Sequence, residues 1–96
     1  MCGICGIVSD SQKVDSVYVK QSIELMVKQI IHRGPDKQGF KLINNVALGH
    51  ARLSIIDLNA HSNQPFSNQE KGIHLVFNGE IYNYKKLRSE LINKGY

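Results

Sequence analysis

Hydrophobic and polar residues change their spacing several times along the 96-residue chain, and each change predicts a new element. Residues 3–9 are rich in Ile and Val, which is typical of a buried strand. Over residues 14–31 apolar side chains recur at helical spacing opposite polar ones, and Asp15 is a suitable N-cap. The predicted apolar stripe of this helix consists of Val17, Ile23, Met26, Val27, Ile30 and Ile31.

The second half of the pattern predicts three more strands and a second helix. Strands are expected over residues 40–43 and 46–53, joined by the turn-forming pair Asn44-Asn45, and over residues 73–77. Residues 84–93 have helical spacing, and Gly95 provides a stop. The side chains expected to face inward are Leu87, Leu91 and Ile92. Four strands and two helices predict an α+β domain with a mainly antiparallel sheet.

Composition narrows the class of protein. The 12 Lys and Arg residues exceed the 8 Asp and Glu residues, but they are scattered and Trp is absent, which favours a solvated basic surface over a nucleic-acid site. No apolar run approaches the ~20 residues of a membrane span. The start of the chain has no basic n-region, so we expect no secretory signal. The two cysteines then indicate a reducing compartment, and we expect a cytoplasmic protein without a structural disulfide.

Cys2 carries the most informative chemistry because it directly follows Met1. Removal of Met1 would leave a thiol and a free α-amine on one residue. The thiol is a good nucleophile, and an α-amine with a pKa of roughly 7.7–8.0 can accept a proton near neutral pH. The alternative is a strand cysteine at the chain terminus with no chemical role.

Cys2 and Cys5 also form a C-x-x-C pair, for which a redox pair and a zinc site are the alternatives. A redox pair normally begins a helix, whereas this pair lies in a strand-like run. A zinc site needs two further ligands, and the histidine spacing matches no finger pattern. These histidines are His32, His50, His61 and His74. We therefore predict no metal site and interpret Cys5 as a packed core thiol.

Three other segments contain candidate site residues. The segment His32-Arg33-Gly34-Pro35-Asp36 follows the first helix and is compatible with a plain helix-stop turn. Arg52 lies at a strand end, where a guanidinium can bind a carboxylate or simply join a surface ion pair. Asn78-Gly79 provides two neighbouring amide donors, suited to a developing oxyanion, although the same pair is common in turns.

Taken in order, MCGI, HRGPD, RLSIIDL, QP and FNGEIYNY resemble the glutaminase domain of glutamine-dependent asparagine synthetases. That domain is one of the class II glutamine amidotransferases, within the N-terminal-nucleophile hydrolases. The resemblance implies a four-layer αββα sandwich of two stacked antiparallel sheets between helices. It also implies that this chain, residues 1–96, is a partial domain, because the family's Ser-Asp-x-Glu segment does not occur.

The resemblance implies a role for each matching residue. Cys2 is the expected nucleophile, Asn78 and the Gly79 N–H the expected oxyanion hole, and Arg52 the expected ligand of the glutamine α-carboxylate. The remaining expected pocket residues are Leu53, Ser54, Ile55, Ile56 and Glu80. The implied reaction is hydrolysis of L-glutamine to glutamate and ammonia through a γ-glutamyl thioester on Cys2.

The resemblance implies partners as well. No S-G-G-x-D-S phosphate-binding loop occurs, so ATP and Mg²⁺ are expected only in a C-terminal synthetase domain that this chain lacks. That domain would receive the ammonia for amide formation, as in asparagine biosynthesis, and a homodimer is a further candidate assembly. The alternatives are an inactive, truncated remnant of the domain and a small C-x-x-C redox or zinc protein.

Overall fold

In a computed structural model of the chain, residues 1–10, 15–55 and 58–96 are described. They form an α+β fold with antiparallel sheets and flanking helices, as predicted. The elements in chain order are β1 (Gly3–Val8), α1 (Ser16–Gln29), β2 (Lys37–Ile43), β3 (Val46–Arg52), β4 (Phe66–Asn68), β5 (Ile73–Leu75) and α2 (Tyr84–Asn93). Neither of the described helices is long and apolar enough to cross a membrane.

The three-stranded sheet has the order β1-β3-β2, with β3 antiparallel to both neighbours. Its register pairs Gly3 with Ala51 and Lys37 with Arg52. The predicted turn between β2 and β3 is confirmed, and Asn44 there has a φ of 50°, a left-handed conformation that Asn tolerates. Because side chains alternate along β3, this strand presents one set to α1 and the other to the opposite face.

Helix α1 covers one face of this sheet. The Asp15 carboxylate accepts a hydrogen bond of 2.9 Å from the Val17 N–H, which confirms the predicted N-cap. The buried side chains of the helix recur every four residues and pack towards Ala47 and Ala51 on β3. These helix residues are Val19, Ile23 and Val27.

Two members of the predicted stripe are exposed, and their assignment to the core is wrong. Val17 is 56% exposed because it lies two positions before Val19, which places it on the far side of the helix. Ile31 is 43% exposed because α1 ends at Gln29 and Ile31 begins a short 3-10 turn, Ile31–Arg33. The predicted start of the helix at Val14 lies outside the described residues.

The strand predictions need four corrections. Strand β2 begins at Lys37, three residues before the predicted start at residue 40. The structure has five strands among its described residues, because β4 lies within the polar residues 59–72, where the pattern predicts no element. Strand β5 ends at Leu75, two residues earlier than predicted, and pairs with β4. Strand β1 is buried on one face only, since Ile4 is 47% and Val8 77% exposed on the face away from α1.

Helix α2 spans the predicted residues and ends as predicted. Gly95 has a φ of 89°, and the N–H groups of Gly95 and Tyr96 donate to the carbonyls of Ile92 and Leu91, which is a Schellman motif. The apolar side of this helix is nevertheless exposed, so its assignment to the interior is wrong. No described strand or helix packs extensively against it. The exposed residues are Leu87, Leu91 and Ile92.

Candidate active site

One cavity of about 330 Å³ lies where the end of β3 meets the chain start and the segment after β5. Eight of the nine residues predicted for the site line this cavity, although they come from three distant parts of the chain. They are Cys2, Arg52, Leu53, Ser54, Ile55, Asn78, Gly79 and Glu80. The ninth, Ile56, lies outside the described residues.

Cys2 reaches the cavity because β1 pairs with β3. The Gly3–Ala51 pair places Cys2 beside the end of β3, where its Sγ accepts a hydrogen bond of 3.3 Å from the Leu53 N–H. The same Sγ lies 3.7 Å from the Leu53 carbonyl oxygen, to which the thiol donates. Arg33 Nε donates to the Cys2 carbonyl oxygen at 3.3 Å. The thiol is thus held at the cavity wall, and Met1 before it is 71% exposed.

Arg52 is a buried cation on the face of β3 away from α1. Its side chain is only 7% exposed, yet it lines the cavity. Nη1 donates to the Asn59 carbonyl oxygen at 2.9 Å and to Asn63 Oδ1 at 2.7 Å. Both acceptors are uncharged, so these two contacts orient the guanidinium without neutralising it.

The segment after α1 supports the end of β3 directly. A Cβ on Gly34 would lie 2.3 Å from the Ala51 carbonyl oxygen, so only glycine permits this close approach. The Asp36 carboxylate accepts a hydrogen bond of 2.7 Å from the Ser54 N–H, and the Asp36 N–H donates to the Arg52 carbonyl oxygen. The sequence-based interpretation as a plain turn missed this supporting role, for which the HRGPD motif was the available signal.

The residues after β5 are held by the side chain of Gln64. Gln64 Oε1 accepts from the Phe77 N–H at 2.6 Å, and Gln64 Nε2 donates to the Phe77 carbonyl oxygen at 3.1 Å. The next two residues, Asn78 and Gly79, line the cavity. Sequence reasoning did not assign Gln64 to the site, and its only signal was its place in the QP pair of the family motif.

His50 lies on the same face of β3 as Arg52 and is only 1% exposed. Burial lowers the pKa of its imidazole, a backbone hydrogen bond with Phe77 opposes that shift, and the Arg52 charge reinforces it. Nε2 makes no hydrogen bond with any residue in the described part of the chain. The imidazole near Arg52 therefore favours its neutral form.

Cys5 differs from Cys2 in its surroundings. Its side chain packs against the core under α1, and burial raises the pKa of its thiol. Both cysteines are free thiols. Within residues 1–10, 15–55 and 58–96, no three His, Cys, Asp or Glu side chains come close enough together to hold a metal ion.

The cavity thus brings a thiol, a guanidinium and an Asn-Gly backbone segment onto one surface. A thiol can form a covalent acyl intermediate, and neighbouring amide donors can stabilise the oxyanion that precedes it. A guanidinium binds a carboxylate. The arrangement suits a small substrate that carries a carboxylate at one end and an amide or ester carbonyl at the other.

Comparison with known proteins gives matches along the whole chain. A family model described as a glutamine amidotransferase domain matches residues 1–96. Glutamine-hydrolysing asparagine synthetase 1 of Bacillus subtilis is 41% identical over 100% of this chain and 15% of its own length. Asparagine synthetase B of Escherichia coli is 42% identical over 94% of this chain and 16% of its own length. Amidase chry2 of Gibberella zeae is 40% identical over 98% of this chain and 15% of its own length. The chain thus spans about 15% of the length of these relatives.

Proposed function

Because the chain belongs to the glutamine amidotransferase domain family, we propose that it hydrolyses L-glutamine to glutamate and ammonia through a thioester on Cys2. The observation that carries the proposal is the single cavity lined by Cys2, Arg52 and the Asn78-Gly79 pair. Cys2 matches the carbonyl that is attacked, the Asn78-Gly79 pair matches the oxyanion that forms, and Arg52 matches the distant α-carboxylate of glutamine.

Substrate binding uses the buried cation at one end of the cavity. Arg52 binds the α-carboxylate, and the backbone of Leu53 to Ile55 lines the path of the aliphatic chain. Glu80, on the same cavity, is suited to the α-ammonium group because their charges are opposite. With the carboxylate fixed, the side-chain amide of glutamine extends towards the Cys2 thiol.

The first chemical step forms a carbon–sulfur bond. After removal of Met1, the Cys2 α-amine accepts the thiol proton as Sγ attacks the amide carbon. The tetrahedral oxyanion is stabilised by the Asn78 side-chain amide and the Gly79 N–H. Return of the proton to the amide nitrogen breaks the carbon–nitrogen bond, releases ammonia and leaves the γ-glutamyl thioester.

The second step hydrolyses that thioester. Water attacks the same carbonyl carbon and passes a proton to the α-amine, and the oxyanion forms again beside Asn78 and Gly79. Breakage of the carbon–sulfur bond releases glutamate, and Sγ recovers its proton. We propose that the ammonia passes to an ATP-dependent, amide-forming synthetase domain, which would hold ATP and Mg²⁺. No step in this cavity uses either.

The experiment compares the unsubstituted chain, freed of Met1, with Cys2→Ala and the matched variant Cys5→Ala. We expect glutamate and ammonia release from the unsubstituted chain and from Cys5→Ala, and none from Cys2→Ala. A glutamine-mimicking electrophile should label Cys2, as read by peptide mapping. An unlabelled Cys2 together with no release would favour an inactive remnant of the domain.

Arg52→Lys tests the binding part of the same proposal. An ammonium cannot reproduce the planar two-point contact of a guanidinium, so KM for glutamine should rise about tenfold with a smaller change in kcat. Steady-state glutamate release measures both constants. An unchanged KM would remove Arg52 from carboxylate binding.

A further inference from the structure

Two neighbouring side chains, Asn63 and Gln64, contact two different segments that line the cavity. Asn63 Oδ1 accepts a hydrogen bond of 2.7 Å from Arg52 Nη1. Gln64 makes two hydrogen bonds, of 2.6 and 3.1 Å, to the backbone of Phe77. Consecutive residues of one loop thereby contact the end of β3 and the segment after β5.

We propose that Asn63 and Gln64 are positioning residues with separate effects, Asn63 on binding of the substrate carboxylate and Gln64 on stabilisation of the oxyanion. The inference rests on the proposed glutaminase function and adds two residues to it. Neither residue needs to touch the reacting atoms, because each acts through a group that does.

Asn63 fixes the plane of the Arg52 guanidinium. Nη1 carries two N–H groups, and it donates hydrogen bonds to Asn63 Oδ1 and to the Asn59 carbonyl oxygen. The guanidinium is planar, so holding Nη1 at two points sets the direction of its remaining N–H groups. Removal of Oδ1 takes away one of the acceptors that hold Nη1 and loosens the orientation of the guanidinium.

Gln64 fixes the peptide group that precedes the expected oxyanion donors. The Phe77 carbonyl and the Asn78 N–H belong to the same planar peptide unit, so a hydrogen bond to that carbonyl orients Asn78 as well. The second bond, from the Phe77 N–H to Oε1, prevents rotation about the first. The Gln64 side-chain amide thus makes the two backbone hydrogen bonds that a neighbouring β-strand would otherwise make.

The two effects fall on different kinetic constants. The α-carboxylate is bound equally in the ground state and the transition state, so a poorer Arg52 raises KM. The oxyanion exists only near the transition state, so misplaced donors lower kcat. Asn63→Ala should raise KM about tenfold with kcat within about twofold, and Gln64→Ala should lower kcat about tenfold with KM within about threefold.

Matched controls replace the same residue types where they do not line the cavity. Asn93 is the exposed last residue of α2, and Gln69 lies exposed in the β4–β5 turn. Asn93→Ala and Gln69→Ala should leave both constants within about twofold of the unsubstituted chain. Circular dichroism of all four variants identifies any general loss of fold.

Gln64→Glu gives a readout that a general structural role would not move. An ionised carboxylate keeps the acceptor for the Phe77 N–H but cannot donate to the Phe77 carbonyl, whereas a protonated carboxyl does both. The ratio of kcat in Gln64→Glu to that of the unsubstituted chain should therefore rise as the pH falls. Cys2, Arg52 and Glu80 line the same cavity, and His50 makes a hydrogen bond with the backbone of Phe77. All four residues are present in both chains, so their contribution to the pH dependence largely cancels in the ratio.

The outcomes separate the two proposals. Turnover that depends on Cys2, without the KM and kcat split or with a pH-independent Gln64→Glu ratio, would overturn this inference alone. Lack of Cys2-dependent turnover in the unsubstituted chain would overturn the proposed function and this inference with it. The split, together with recovery of Gln64→Glu at low pH, supports both.

Discussion

His50 places an ionisable ring in a fully packed position two residues before Arg52. A buried imidazole beside a cation is tolerated because the ring favours its neutral form. A group of this kind makes the stability of the sheet that supports the candidate site depend on pH.

The sign of this connection follows from the lowered pKa. In the unfolded chain His50 binds a proton near pH 6.5, whereas in the folded chain it does so only at lower pH. Stability is therefore fully present above about pH 6.5 and falls as the pH drops below it, by at most about 1.4 kcal/mol per pH unit for one group. Urea unfolding at pH 7.5 and 5.5 should show a larger loss in the unsubstituted chain than in His50→Gln. Equal losses would contradict this prediction.

At the residue scale, the sequence predicts which side chains line the cavity better than which side chains support it. Cys2, Arg52 and Asn78 carry distinctive chemistry at distinctive positions, so pattern and family resemblance select them. Asp36 and Gln64 act through ordinary side-chain hydrogen bonds to the backbone of Ser54 and Phe77. Such contacts depend on where loops meet in space, which spacing along the chain does not encode.

At the scale of elements, helix α1 is the part that organises the sheet. Its start is defined by the Asp15 cap, and three of its side chains form most of the buried core against β3. A helix of this length gains most of its stability from packing. The buried face and the cap at the start of α1 therefore both contribute to its stability.

Asp15→Ala should lower the free energy of unfolding by about 1 kcal/mol, because the Val17 N–H loses its acceptor. Urea denaturation measures the change. Asp10→Ala is the matched control, since Asp10 is exposed and lies outside the helix, and it should change stability by less than about 0.5 kcal/mol. Equal effects of the two substitutions would mean that the cap contributes nothing.

The hydrophobic pattern of the sequence predicts some elements better than others. Helix α2 was predicted residue for residue, because a helical period bounded by Gly95 is a local signal. Strand β4 was missed, because three exposed residues have no room for an alternating pattern. Leu87 and its neighbours were wrongly placed inside, because periodicity shows that a helix has an apolar side but not whether another element covers it.

At the scale of the whole molecule, the chain is flat and open. Its radius of gyration is 15.0 Å, against about 12–13 Å for a compact domain of this length. The buried core is small, while the apolar side of α2 and part of β1 face solvent. The four-layer sandwich and the homodimer expected from the resemblance stay predictions, as does the cytoplasmic location.

The exposed side of α2 should bind a hydrophobic dye such as ANS, because contiguous apolar surface is accessible there. The double variant Leu87→Lys and Leu91→Lys should lower the dye fluorescence. Glu90→Lys is the matched control because it changes the net charge by the same +2 while sparing the apolar side. Dye fluorescence that falls equally in both variants would trace the effect to charge alone.

The pairing of Gly3 with Ala51 fixes how far the residues before β1 extend towards the cavity. Each residue inserted behind the start codon would displace the leading amine by roughly 3.3 Å along the strand direction. A purification tag fused ahead of Cys2 would convert that amine into a peptide bond and abolish its basicity. Recombinant protein intended for the activity measurements proposed above should therefore carry no tag ahead of Cys2.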